Sequence, residues 1–114
     1  MANNFVNKKV DLTTTESAVT LYTIPSATTA IIKSILVSDD SGSGSSITIT
    51  LTDTSDAVFS IAYLKTISAN TPTEILTNPL VAETGEIIKV TAAQANRLHV
   101  ILSAMEVTPR TVTT

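Results

Sequence analysis

The chain is expected to fold as an all-β, antiparallel β-sandwich of about seven or eight short strands, Greek-key or jelly-roll-like. Three observations predict it. Strand-like runs recur at a spacing of about 8–12 residues, divided by turn residues. The run Ile47-Thr48-Ile49-Thr50-Leu51-Thr52 alternates apolar and polar without a break, as a strand does when one face is buried and the other is wet. No stretch keeps a helical apolar period over a useful length. The 114 residues make one domain, large enough to bury roughly two thirds of its unfolded surface.

Residues 1–16 are polar, with Phe5, Val6, Val10 and Leu12 as their only large apolar anchors. They read as an N-terminal arm, with a short strand at 6–12, and removing them should leave a folded domain. Thr13-x-x-Glu16 has the spacing of a helix-capping box, but β-periodic sequence follows it. The sandwich is assigned to residues 17–107. Residues 18–24 are its first strand, with Val19 and Leu21 on one face and Tyr22 and Ile24 on the other. Pro25 ends it, because proline cannot donate to a ladder. Residues 30–37 are apolar on both faces: Ile31, Ile35 and Val37 on one, Ile32 and Leu36 on the other. Such a strand is central and covered, or part of a subunit contact. The run SDDSGSGSS at 38–46 reads as a solvated, flexible hairpin loop and an exposed tip.

Residues 47–52 follow as a strand, and 53–56 turn the chain. Residues 58–64 set Val58, Ser60, Ala62 and Leu64 against Phe59, Ile61 and Tyr63. After an open loop containing Pro72, residues 74–77 form a short edge-like piece, broken by Asn78-Pro79. Leu80 to Ala82 lead into Glu83-Thr84-Gly85-Glu86, a tight turn with Gly available for positive φ. Residues 86–91 put Ile87 and Lys89 opposite Ile88 and Val90. Residues 92–96 have room for one helical turn, too short to be stable alone. The last strand, 98–107, carries Leu98, Val100, Leu102 and Ala104 on one face and His99, Ile101, Ser103 and Met105 on the other. Residues 108–114 are a polar C-terminal tail.

Composition narrows the function classes. Charged residues are 15% of the chain, against a usual quarter or so, and about one residue in five is Thr. Thr is β-branched and suits a half-exposed pleated surface. A low-charge surface also meets another protein with little charge to desolvate. The seven basic residues are scattered and the net charge is −3, which argues against a nucleic-acid groove. There is no Cys, hence no disulfide or thiolate metal site. A cytosolic or virion origin therefore fits better than a secreted mini-domain. The first residues lack the apolar core of a signal peptide, and no run approaches the ~20 apolar residues of a membrane span.

No constellation points to catalysis, a metal or a cofactor. His99 is the only histidine and lies mid-strand, where packing is its ordinary role; a catalytic His needs a nucleophile and an orienting partner. Asp39-Asp40-Ser41-Gly42-Ser43-Gly44 faintly suggests a calcium loop but lacks the ligand spacing. Gly42-x-Gly44 opens no helix and makes no phosphate cradle. The acid pairs Asp39/Asp40, Asp53/Asp56 and Glu83/Glu86 sit at turns, where acids are solvated. Without Trp beside them, a sugar-cleaving site is a poor reading. Tyr22 and Tyr63 have no basic groove around them for nucleobase stacking.

The ordered features Tyr22-Thr23-Ile24-Pro25, AIIKSILVSDD, Leu80/Gly85/Glu86/Ile88 and Ser103/Glu106 resemble small virion structural proteins of tailed bacteriophages. The likeness spans about residues 19–107. Glu83-Thr84 before Gly85 departs from it, a tighter turn being usual there. The resemblance implies a non-enzymatic virion building block located in the particle and assembled in the host cytoplasm. It would be a capsid decoration (cement) protein, a neck or tail ring component being the alternative. A receptor- or carbohydrate-binding sandwich is a third reading, disfavoured by the absence of Trp. The implied partners are copies of the chain itself, as a trimer or other cyclic oligomer, and virion proteins such as the major capsid protein. The candidate interface residues are Phe5, Val6, Val10, Leu12, Ile31, Ile35 and Val37.

Overall fold

The computed structural model describes residues 2–109. Among them there is no helix, and nine strands form two antiparallel sheets: β1 (Ala2–Asp11), β2 (Val19–Thr23), β3 (Thr29–Asp39), β4 (Ser45–Thr52), β5 (Val58–Ile67), β6 (Pro72–Glu74), β7 (Leu80–Ala82), β8 (Ile87–Ala92) and β9 (Leu98–Thr108). The five-stranded sheet runs β1-β9-β3-β6, with β7 also on β3; the four-stranded sheet runs β2-β8-β4-β5. Their facing sides share one apolar core. It includes Leu12, Ile32, Ile35, Val37, Val100 and Leu102 from the larger sheet side, and Ile47, Ile49, Ile88 and Val90 from the smaller.

Two strands follow simple alternation. In β8, Ile88, Val90 and Ala92 are buried and their neighbours are not. In β9, Leu98, Val100, Leu102 and Ala104 line the core, and His99, Ile101, Ser103 and Met105 face out. β4 buries Ile47 and Ile49 as its pattern requires, but at its end Thr52 is buried and Leu51 only half-buried.

β3 breaks the period. Its pairing with β9 slips between Ile32 and Ser34, so an extra residue, Lys33, bulges out. A bulge shifts every later side chain by one place. Ile32, Ile35 and Val37 therefore share the buried face, and Ile31 and Leu36 the outer one. The bulge has a specific support. β7 pairs with residues 30–32 of β3 and β6 with residues 36–38, leaving a gap between the two short strands. There Glu74 accepts the Ile35 N–H at 2.9 Å and the Ser34 hydroxyl. A similar slip between Thr20 and Tyr22 in β2 lets Leu21, Tyr22 and Ile24 all be buried.

Two connections differ from the reading of the sequence. The 38–46 segment is no hairpin: β3 and β4 belong to different sheets, so it carries the chain across the sandwich. Asp39 in it is buried and takes five hydrogen bonds. Its carboxylate accepts from the Ser41 N–H and hydroxyl (3.1 and 2.6 Å) and from the N–H groups of Gly42, Gly44 and Asn70 (3.1, 3.2 and 3.0 Å). These bonds, led by the Ser41 hydroxyl, hold the Asp39 carboxyl well below the usual carboxylate range although desolvation opposes them. Residues 1–16 also differ. Residues 2–11 are β1, paired with β9 from Ala2↔Thr108 to Asp11↔His99, and Leu12 is wholly buried. Thr13-x-x-Glu16 starts no helix; the Glu16 N–H binds the Ala92 carbonyl at 2.8 Å. Of the predicted C-terminal tail, residues 110–114 lie outside the described residues.

Candidate interaction surface

The outer face of the five-stranded sheet is the most organised surface of the chain. The register sets side chains in rows across β1, β9 and β3. One row is wholly apolar: Phe5 opposes Met105, Met105 opposes Ile31, and Ile31 opposes Val81 on β7. Phe5 is 75% exposed and Val81 56%. The next row is small and polar, Asn7, Ser103 and Ser34. A mixed row follows, with Ile101 and Leu36 in the middle, Lys9 at one end and Glu74 at the other. Among the described residues nothing covers this face, because both sheets turn their other sides inward. Uncovered apolar rows of this kind mark contact surfaces.

A polar constellation ends the face. Asp11, His99 and Ser38 are register neighbours on β1, β9 and β3, which by residue type invites a nucleophilic-triad reading. The geometry excludes it. His99 Nε2 faces Asp11 at 3.2 Å and Nδ1 faces Asp40 at 3.6 Å. Both ring nitrogens are turned to carboxylates, so neither is placed to take a proton from Ser38. Among the described residues no three His, Asp or Glu side chains group as metal ligands.

One lateral side of the sandwich is closed by a half-buried polar contact. Tyr22 on β2 donates its hydroxyl to Glu106 on β9, and Lys8 Nζ lies 5.5 Å from the ring centre. Burial first, then the hydrogen bond and negative charge of Glu106, push the Tyr22 phenol above its ordinary value. On the opposite lateral side β5 pairs with β4 alone among the described strands, and its Ile61, Ala62, Tyr63 and Lys65 face Glu74, Ile75 and Thr77 across a groove.

The predicted interface residues divide. Phe5 and Ile31 come together through Met105 on the outer face. Val6 and Val10 are half-buried and pack on the core, while Leu12, Ile35 and Val37 are completely buried inside it. Those three cannot meet a partner while the chain is folded, because β1 and the Lys33 bulge turn them inward. Sequence reasoning missed Met105, Val81, Leu36 and Ile101 as parts of the surface. The outward parity of Ile101 and Met105 was legible in β9; their neighbours across the sheet were not. No protein-family model, curated protein or solved structure matches the chain.

Proposed function

We propose that the chain is a non-enzymatic structural subunit of a tailed-phage virion, a capsid decoration protein that binds coat proteins and copies of itself. The observation that carries this reading is the Phe5–Met105–Ile31–Val81 row, an apolar contact surface on a chain whose only histidine is occupied by two carboxylates. The low charge and Thr-rich composition support it, since such a surface is cheap to desolvate. So does the resemblance in the turns after β2 and before β8. The same reading includes Greek-key or jelly-roll-like connectivity and assembly in the host cytoplasm.

Quantitative mass spectrometry of purified virions, with electron microscopy of labelled particles, tests it. A copy number in the hundreds and label over the head shell are expected. A small, ring-like copy number at the portal or tail selects the neck or tail component instead. Absence from the virion overturns the reading. At the residue level, F5K/V81K should abolish retention on the shell while the isolated protein keeps its far-ultraviolet circular dichroism spectrum.

A further inference from the structure

Three stretches distant in the sequence meet at one end of the sandwich. They are residues 43–46 leading into β4, residues 66–69 leaving β5, and Ala93, Gln94 and Arg97 between β8 and β9. Together they line a cleft of about 550 Å³, within the size range of small-ligand sites. Its walls are tied to one another. Ser45 and Ser46 pair with Ile67 and Thr66, and the Ser46 carbonyl accepts the Ala93 N–H at 3.0 Å. Arg97 Nη1 donates to the Gly44 carbonyl at 3.1 Å. Gly44 runs so close to β5 that a Cβ on it would lie 3.0 Å from the Ile67 carbonyl oxygen. A cleft braced in this way needs little ordering to receive a ligand.

The side chains specify the chemistry of that ligand. Arg97 is half-buried, and its bond to Gly44 leaves the rest of the guanidinium fork unused. The ion pairs among the described residues both belong to His99, so no carboxylate pairs with Arg97. Asp39 reaches the same segment through the Gly44 N–H, but main-chain N–H groups and the Ser41 hydroxyl occupy both its oxygens. A partly desolvated guanidinium without a counter-ion favours an anion, and its planar fork matches a carboxylate. Around it stand Ser43, Ser46, Thr66, Ser68 and Gln94, uncharged groups that both donate to and accept from hydroxyls. Ser45, in the same wall, has a buried hydroxyl with no hydrogen-bond partner among the described residues. Such a group gains when a bound molecule pairs with it. The lining holds no aromatic ring, so recognition rests on charge and hydrogen bonds, not on stacking.

We propose that this cleft binds a small hydroxylated carboxylate, the chemistry of a uronic acid or of an open-chain hydroxy acid. Arg97 takes the carboxylate, and the serine, threonine and glutamine side chains take the hydroxyls. The cleft shares no residue with the Phe5–Met105–Ile31–Val81 row, and the inference does not rest on the virion reading.

The test is titration of the full, isotopically labelled chain with glucuronate and with citrate, followed by amide chemical shifts. Saturable shifts at residues 43–46, 66–69 and 93–97 are expected from at least one of them, and which one acts identifies the ring or the open-chain source. Glucose, which lacks the carboxylate, and acetate, which lacks the hydroxyls, should bind about tenfold more weakly or worse. R97M should abolish the shifts, and R97K, which keeps the charge without the fork, should weaken binding by about tenfold. S68A/Q94A, at two exposed positions, weakens binding without touching the Arg97–Gly44 bond, and circular dichroism checks that each variant is folded. No saturable shift with glucuronate or citrate overturns the proposal. So does glucose binding as tightly as glucuronate, or binding that neither R97M nor S68A/Q94A reduces.

Discussion

Asp39 shows how much one carboxylate organises. It ties residues 41–44 to Asn70, a contact between the crossover and a loop about 30 residues further on. Folding favours its ionised form. Its contribution is therefore complete above the unfolded titration near pH 3.9 and is lost as pH falls toward the lower folded value. D39N should lower the unfolding midpoint at neutral pH, since an amide nitrogen replaces one acceptor oxygen. The gap to wild type should narrow on acidification below about pH 4, a trend that urea melts at several pH values would read. Gly44 beside it has φ 69°, and a Cβ there would lie 3.0 Å from the Ile67 carbonyl oxygen. G44A should cost about 1–3 kcal/mol, measured by the same melts. Y22F, which strips Glu106 of its donor on the closed side of the sandwich, should cost about 1 kcal/mol.

At the scale of elements, β1 and the β3 bulge matter most. β1 covers one whole edge of β9, and Leu12 just after it is core. Deleting residues 1–16 is therefore expected to abolish cooperative unfolding, the reverse of what an arm would give. L12A alone should cost about 2–5 kcal/mol. Circular dichroism during denaturation distinguishes these results from an indifferent tail. The bulge depends on Glu74, which also accepts the Leu76 N–H at 3.2 Å. E74A leaves the Ile35 N–H without its partner, at a cost of about 1–3 kcal/mol. Because the bulge sets which side chains face inward, the variant should also change amide-exchange protection along residues 34–39.

Over the whole molecule, the pairing is dominated by distant residues. β9 lies between β1 and β3, so the larger sheet cannot close until its last strand exists. Sheets built from such long-range pairs fold slowly, in milliseconds to seconds. A chain truncated before Leu98 should remain protease-sensitive and show no cooperative transition. The uncovered outer face of the larger sheet, with its Phe5–Met105–Ile31–Val81 row, gives the molecule one organised surface for association.

The sequence by itself determined the all-β class, the turns at Pro25, at 53–56 and at 83–86, and the faces of β8 and β9. Alternation, proline positions and turn residues are local properties, and a strand without bulges expresses them directly. The acid pairs Asp53/Asp56 and Glu83/Glu86 were likewise legible as turn residues: Asp53 Oδ1 accepts the Ser55 and Ala57 N–H groups at 2.9 Å each, whereas Asp39 ends β3 buried. Only the tertiary structure decided that Ile35 and Val37 point inward, because the bulge that turns them is stabilised by Glu74 from another strand. Only it made β1 part of a sheet, since a polar strand signals its place through its partner, not its own pattern. And only it brought Phe5, Met105, Ile31 and Val81 into one row, because register between strands far apart in the chain is set by the packing of the core they share.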